Sequence, residues 1–92
     1  MIRSVRDGDT EELFYRLASR RWAAVARVAL RKLRLLHRAR ALNDLVALPG
    51  NHLEKLKSDR AGQYSIRVND QYRICFRWEG SDAFDVELTD YH

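Results

Sequence analysis

The stretch Tyr64–Trp78, "YSIRVNDQYRICFRW", decides the fold. Apolar side chains recur at every second position before and after "NDQ", which is the alternation of half-buried β-strands. A three-residue loop at Asn69–Gln71 pairs Val68 with Tyr72 and keeps the apolar positions of both strands on one face, whereas a two-residue loop would mix the two faces. We therefore predict an antiparallel hairpin with a three-residue loop.

The register of this hairpin brings arginines together. It sets Arg67 directly opposite Arg73, with Arg77 further along the same face of the second strand. Like charges opposed across strands are unfavourable. Two interpretations stay open: a surface ladder of ion pairs with acids of the next strand, or a pocket for an anion.

A third alternating run, "FDVEL" at 84–88, follows the hairpin. Its even-numbered apolar residues, Phe84 included, are predicted to face the core, and its acids return past the arginines. In either plausible register the end of this strand runs back alongside Gln71 to Arg73. The last three residues, "DYH" at 90–92, should therefore emerge next to Arg73.

The first half of the chain is predicted to be helical. "DTEELFYRLAS" offers Asp9 as an N-cap with Glu12 three residues later, the spacing of a capping box. A second helix runs from about Trp22 to Arg38, because its apolar residues share one stripe at 100° per residue. That stripe contains Trp22, Val25, Ala26, Ala29, Leu33 and Leu36. With "MIRSV" as a short strand, the chain is predicted to be α+β: a small antiparallel sheet with two N-terminal helices packed on one face, in one domain of residues 1–92.

Charge is distributed unevenly along the chain. Nine Lys or Arg residues and no acid lie between Leu13 and Asn43, whereas 79–92 holds five acids and no Lys or Arg. On the second helix four arginines at spacings of four, three and four form a stripe nearly opposite the apolar one: Arg27, Arg31, Arg34 and Arg38. Such a stripe attracts a polyanion such as RNA, and a merely solvated basic helix is the open alternative.

Composition excludes several classes of protein. The single cysteine, Cys75, cannot form an internal disulfide or supply an ordinary zinc site. No run of about 18 apolar residues exists to cross a membrane, and the polar opening segment does not look like a secretory signal. We expect a cytoplasmic protein without membrane association.

The longest motif carries a family resemblance. "LEKLKSDRAGQYSIRVNDQYRICFRW" followed by "VELTDYH" resembles the HigB branch of the RelE/ParE toxin superfamily. The resemblance implies a RelE-like fold and a toxin of a type II toxin-antitoxin system. Because most toxins of this family are ribosome-dependent mRNA endonucleases (mRNA interferases), it also implies that activity. It also implies three partners: a HigA-like helix-turn-helix antitoxin, the A site of the ribosome with its mRNA, and operator DNA only through the antitoxin.

The resemblance also implies catalytic residues. The family lysine maps onto Lys57 in "LKSDR", and the closing acid, phenol and imidazole map onto Asp90, Tyr91 and His92, while Arg73 matches the family arginine. Some relatives carry a histidine three positions before the lysine. This chain has Glu54 there and a histidine at position 52, to neither of which we assign a role.

These groups suit RNA cleavage by the substrate's own 2′-OH. A histidine titrates near neutral pH, so His92 is the first choice for proton transfer. Asp90 would act as base or orient a partner, and Tyr91 would position a nucleotide or move a proton. Lys57 and Arg73 would stabilise charge on the phosphate. We expect no metal and no other cofactor, and RNA contacts from Arg60, Arg67, Arg77 and the four arginines of the helix stripe. The alternatives are a ParE-like gyrase inhibitor and a non-catalytic RNA- or ribosome-binding module.

Overall fold

The computed structural model describes residues 1–17 and 19–90. The helices in this part of the chain are α1 (Gly8–Arg16), α2 (Ala26–Arg38) and α3 (Leu42–Val46), with 3-10 turns at Ala23–Val25, Pro49–Asn51 and Ser58–Arg60. The strands are β1 (Glu54–Lys55), β2 (Gln63–Arg67), β3 (Tyr72–Glu79) and β4 (Asp82–Asp90). They form an antiparallel sheet in the order β1-β2-β3-β4, which confirms the predicted α+β class.

The hairpin of β2 and β3 has the predicted register. Ile66 pairs with Ile74 and Arg67 with Arg73. The loop is held by its first residue, because Asn69 Oδ1 accepts hydrogen bonds from the backbone N–H groups of Gln71 (2.9 Å) and Tyr72 (2.7 Å). This asparagine-centred turn explains why three residues, rather than two, connect the strands.

The register of β4 departs from the prediction. A bulge lies between the pairs Cys75 to Glu87 and Arg77 to Phe84, and Asp85 takes the left-handed conformation there with φ of 53°. The extra residue reverses the alternation. Ala83 is therefore fully buried in the core, and Phe84, which was predicted to face inward, lies on the opposite face with its ring centroid 5.0 Å from the Arg77 guanidinium carbon.

Helix α1 begins two residues earlier than predicted. Its N-cap is Asp7, whose carboxylate accepts a 3.2 Å hydrogen bond from the Thr10 backbone, so Asp9 lies in the first turn and is not the cap. Thr10 is fully buried, and its hydroxyl oxygen accepts a 3.1 Å bond from the Leu88 backbone N–H. This contact ties α1 to β4.

The core lies between the helices and one face of the sheet. Most of the predicted apolar stripe of the second helical segment is buried, including Trp22, Ala29, Leu33 and Leu36, and it belongs to one cluster with Phe76. The segment "MIRSV" forms no strand. It contributes two isolated parallel bridges, from Ile2 to Ala83 and from Val5 to Val86. In the described part of the chain, no helix combines the length and apolarity that a membrane crossing requires.

Candidate active site

The sheet face opposite the core is called here the outer face. Ser65 stands opposite Cys75 on β2 and β3, Cys75 opposite Glu87 on β4, and Arg73 opposite Thr89, so these residues share that face. Cys75 is fully buried on it, and burial raises the pKa of its thiol. The polar and charged residues around Cys75 form the candidate site.

Arg73 is held in place by neutral oxygens. Its Nε donates to Ser65 Oγ at 2.6 Å, and Nη2 donates to the Ser65 carbonyl at 3.2 Å and to the His52 carbonyl. Within residues 1–17 and 19–90, no carboxylate lies within ion-pair distance of its guanidinium. A cation fixed by neutral groups keeps its full charge for an anion.

Glu87 does not pair with Arg73, which the sequence had left open. Its Oε1 lies 3.0 Å from Arg60 Nη1 and 3.7 Å from Arg6 Nη1. Arg60 also donates to Gln63 Oε1 at 3.3 Å. Burial disfavours the charged guanidinium, but the hydrogen bond and charge of Glu87, together with Cys75 and Asp59, outweigh burial and raise the pKa of Arg60. At the centre of the outer face, Glu87 therefore partly neutralises the charges of Arg60 and Arg6.

Arg77 behaves as the ion-pair ladder predicts. Its guanidinium contacts the carboxylates of Glu79 and Asp85, the latter at 3.4 Å, and these contacts raise the pKa of Arg77. Arg67 pairs with Asp70 in the hairpin loop. Of the three arginines that the hairpin register brings together, Arg73 is thus the one whose described partners are all neutral.

The end of β4 reaches the expected place. Asp90 pairs in register with Tyr72, and its Oδ2 accepts a 3.3 Å hydrogen bond from Gln71 Nε2. Asp90 is therefore beside the first residues of β3, next to the pair Arg73 to Thr89. Its pairing with Tyr72 places its side chain on the face that carries Ile74 and Leu88, opposite the outer face of Arg73. Tyr91 and His92 lie outside the described residues.

Lys57 is exposed and immediately precedes the 3-10 turn Ser58–Arg60, which carries Arg60. His52 is exposed and contributes its backbone carbonyl to Arg73. Glu54 is opposite Ser65, on the outer face. Neither His52 nor Glu54 was assigned a role from the sequence, and the position of the His52 carbonyl has no signal in the sequence because it depends on the loop conformation.

The arginine stripe of α2 forms a second, separate surface. Arg27, Arg31, Arg34 and Arg38 are exposed, as predicted, and with Val28 and Leu30 they line a groove of about 650 Å³. Since α2 packs on the core face of the sheet, the structure does not bring the stripe together with the outer-face residues.

The described part of the chain contains no group of three or more His, Cys, Asp or Glu side chains that could hold a metal ion.

Similar folds occur in solved structures of small toxins. The chain aligns over its full length with a chain of the YoeB-YefM complex from Staphylococcus aureus (98% of that chain, TM-score 0.56, 19% identity). It also aligns over 95% of its length with the YoeB/ParE toxin from Agrobacterium tumefaciens (98% of that chain, TM-score 0.51, 18% identity). The fold is thus the RelE-like fold of this class of toxins.

Sequence comparison identifies the family. Residues 7–92 match the model of the HigB-like toxins, described as RelE-like toxins of type II toxin-antitoxin systems, and the chain belongs to this family. It is 39% identical over 66 residues to Toxin HigB-1 of Vibrio cholerae, covering 72% of this chain and 70% of that protein. It is 42% identical over 40 residues to Endoribonuclease HigB of Proteus vulgaris, covering 44% of each.

Proposed function

We propose that this HigB-like toxin is an endoribonuclease that cuts mRNA in the A site of the ribosome. A relative named Endoribonuclease HigB supports the reaction class. The observation that carries the proposal is the setting of Arg73: a partly buried guanidinium on the outer face, bound only by neutral groups among the described residues, with the end of β4 passing beside it. A phosphate beside Arg73 would supply the missing negative charge.

The reaction assigned to this site needs three tasks. The 2′-OH must lose its proton, the pentacovalent phosphate must be stabilised, and the departing 5′ oxygen must gain a proton. We assign proton transfer to His92, general-base or orienting work to Asp90, and nucleotide positioning or proton transfer to Tyr91. Arg73 and Lys57 stabilise the charge that develops on the phosphate. No metal or other cofactor enters this scheme.

RNA binding divides between two surfaces. Arg60 and Arg67 flank Arg73 on the outer face, while Arg77 contributes less there because two carboxylates already offset its charge. The arginine stripe of α2, on the other side of the molecule, docks on ribosomal RNA through phosphate contacts that do not depend on sequence. The toxin acts in the cytoplasm and is neutralised by a HigA-like helix-turn-helix antitoxin, through which alone it reaches operator DNA.

Primer extension on an mRNA in a translating extract, with and without the protein, tests this function. Cuts confined to translated frames and unaffected by excess chelator are expected. Cuts in naked RNA would show a free nuclease instead. Ribosome binding without cuts would leave a non-catalytic binding module, and inhibition of gyrase supercoiling without cuts would leave the ParE-like alternative.

A further inference from the structure

A buried polar pair lies behind the candidate site. Lys32 of α2 is 7% exposed and Asn51 is fully buried, and Lys32 Nζ donates to Asn51 Oδ1 at 2.6 Å. An ammonium buried against a neutral amide is costly, and within the described residues it has no carboxylate in ion-pair distance. Burial, and then the charges of Arg31 and Arg67, lower the pKa of Lys32. The pair therefore costs the fold more than an apolar filling of the same space would.

Asn51 uses its whole side chain to fix the backbone. Its Nδ2 donates to the Leu45 carbonyl at 3.0 Å while Oδ1 accepts from Lys32. Its backbone N–H donates to the Leu48 carbonyl at 3.0 Å. Asn51 therefore locks the chain at the end of the 3-10 turn Pro49–Asn51, where it passes from α3 toward β1.

The next residue, His52, connects this turn to the candidate site. His52 takes the left-handed conformation, with φ of 41° and ψ of 59°, which is uncommon for a residue with a Cβ. Its carbonyl accepts the hydrogen bond from Arg73 Nη2. One continuous series of contacts thus runs from Lys32 through Asn51 and the His52 carbonyl to the guanidinium.

We infer that Lys32 and Asn51 are positioning residues for Arg73. They hold the His52 carbonyl where it orients the Arg73 guanidinium on the outer face, without touching substrate themselves. Its consequence for catalysis rests on the proposed function. If a phosphate-binding group is displaced by about 1 Å, the rate of RNA cleavage can fall about 10²-fold. The alternative is that the pair merely plugs the space under the loop.

The geometric part is tested without any RNA. Exchange of the Arg73 Nη2–H protons, the group that donates to the His52 carbonyl, is measured by ¹⁵N NMR in the whole chain for wild type, Lys32→Met and Asn51→Leu, with Leu33→Ala as the matched control. Leu33 is a fully buried residue on the same helix that takes no part in the contact series. Faster exchange in Lys32→Met and Asn51→Leu, but not in Leu33→Ala, is expected. Lys32→Met serves alone if Asn51→Leu does not fold.

The catalytic part uses non-additivity. Lys32→Met should lower kcat for mRNA cleavage about tenfold or more in the wild-type background and cause no further loss in the Arg73→Ala background. Unchanged exchange, equal exchange in Leu33→Ala, or the same kcat loss in both backgrounds overturns the inference. If the wild type does not cut RNA while exchange behaves as expected, the proposed function fails and the positioning role stands.

Discussion

Arg67 and Arg73 lie directly opposite each other across β2 and β3, yet they are compensated differently. Arg67 pairs with the carboxylate of Asp70, whereas the described partners of Arg73 are the hydroxyl and carbonyl oxygens of Ser65 and the carbonyl of His52. An exposed ion pair such as the one with Asp70 is easily exchanged for a ligand. The two guanidiniums therefore form a surface with capacity for an anion, centred on Arg73.

The first prediction compares two arginines of the same strand and face. Arg73→Ala should lower kcat for cleavage by about 10² to 10³, because a preorganised donor is removed where negative charge develops. Arg77→Ala should change it little, since Glu79 and Asp85 already neutralise Arg77. Single-turnover cleavage on programmed ribosomes measures both. Equal losses in the two variants would contradict the distinction drawn from their partners.

The second prediction concerns proton transfer. His92→Ala should lower the cleavage rate by about 10² to 10⁴ and leave ribosome binding nearly intact, because a general acid or base acts on the reacting atoms and adds little to docking. Cleavage and ribosome co-sedimentation are compared in the same preparation. Undiminished cutting by this variant would remove the imidazole from the mechanism.

The third prediction separates docking from chemistry. Arg31→Gln with Arg34→Gln should weaken ribosome binding and reduce its salt dependence by roughly 0.7 to 0.9 in log–log slope for each phosphate that the variant no longer neutralises. Because these residues lie on α2, away from the outer face, cleavage at saturating ribosome concentration should be preserved. Arg16→Gln with Arg20→Gln, two exposed arginines outside the stripe, is the matched control. A slope unchanged from wild type would show that the arginine stripe is only a solvated face of the helix.

The sequence was sufficient for the features that local rules govern. Alternation and loop length predicted the β2 and β3 register, and therefore the pair Arg67 to Arg73. The second hairpin, in either register, predicted that the end of β4 runs back alongside Gln71 to Arg73, where Asp90 pairs with Tyr72. The apolar stripe and the arginine stripe of the second helix followed from the helical period alone. These elements depend on contacts close in sequence or on one hairpin, so pattern alone determines them.

The rest depended on contacts that no local pattern encodes. The bulge at Asp85 is coupled to a hydrogen bond from its backbone N–H to Ser4 Oγ, 81 residues away, and it reversed the expected position of Phe84. The His52 carbonyl reaches Arg73 from the end of a turn whose last residue, Asn51, is hydrogen-bonded to Lys32 of α2. Alternation treats every strand as regular and every lysine as exposed, so it missed both.

The fourth prediction tests that reversed register. Phe76→Ala should destabilise the fold by about 3 to 5 kcal/mol, because Phe76 is fully buried in the core. Phe84→Ala should cost clearly less, since Phe84 is only partly buried, on the outer face over Arg77. Urea unfolding of the two variants measures the difference. Equal losses of unfolding free energy in the two variants would show that Phe84 belongs to the core.

The fifth prediction follows from the pKa of Lys32, which burial and then the charges of Arg31 and Arg67 lower in the folded protein. Between this lowered pKa and the ordinary lysine value, the unfolded chain binds more protons at this site than the folded chain does. Stability therefore rises with pH through that window and is constant in this contribution on either side. In Lys32→Met the contribution is absent, so the free energy of unfolding of wild type minus that of Lys32→Met should increase from neutral to alkaline pH. Urea unfolding of both proteins at several pH values measures this difference, and subtraction cancels the titration of other groups. A difference that falls with rising pH would mean that the buried ammonium is stabilised in the fold, and the cost assigned to it would then be wrong.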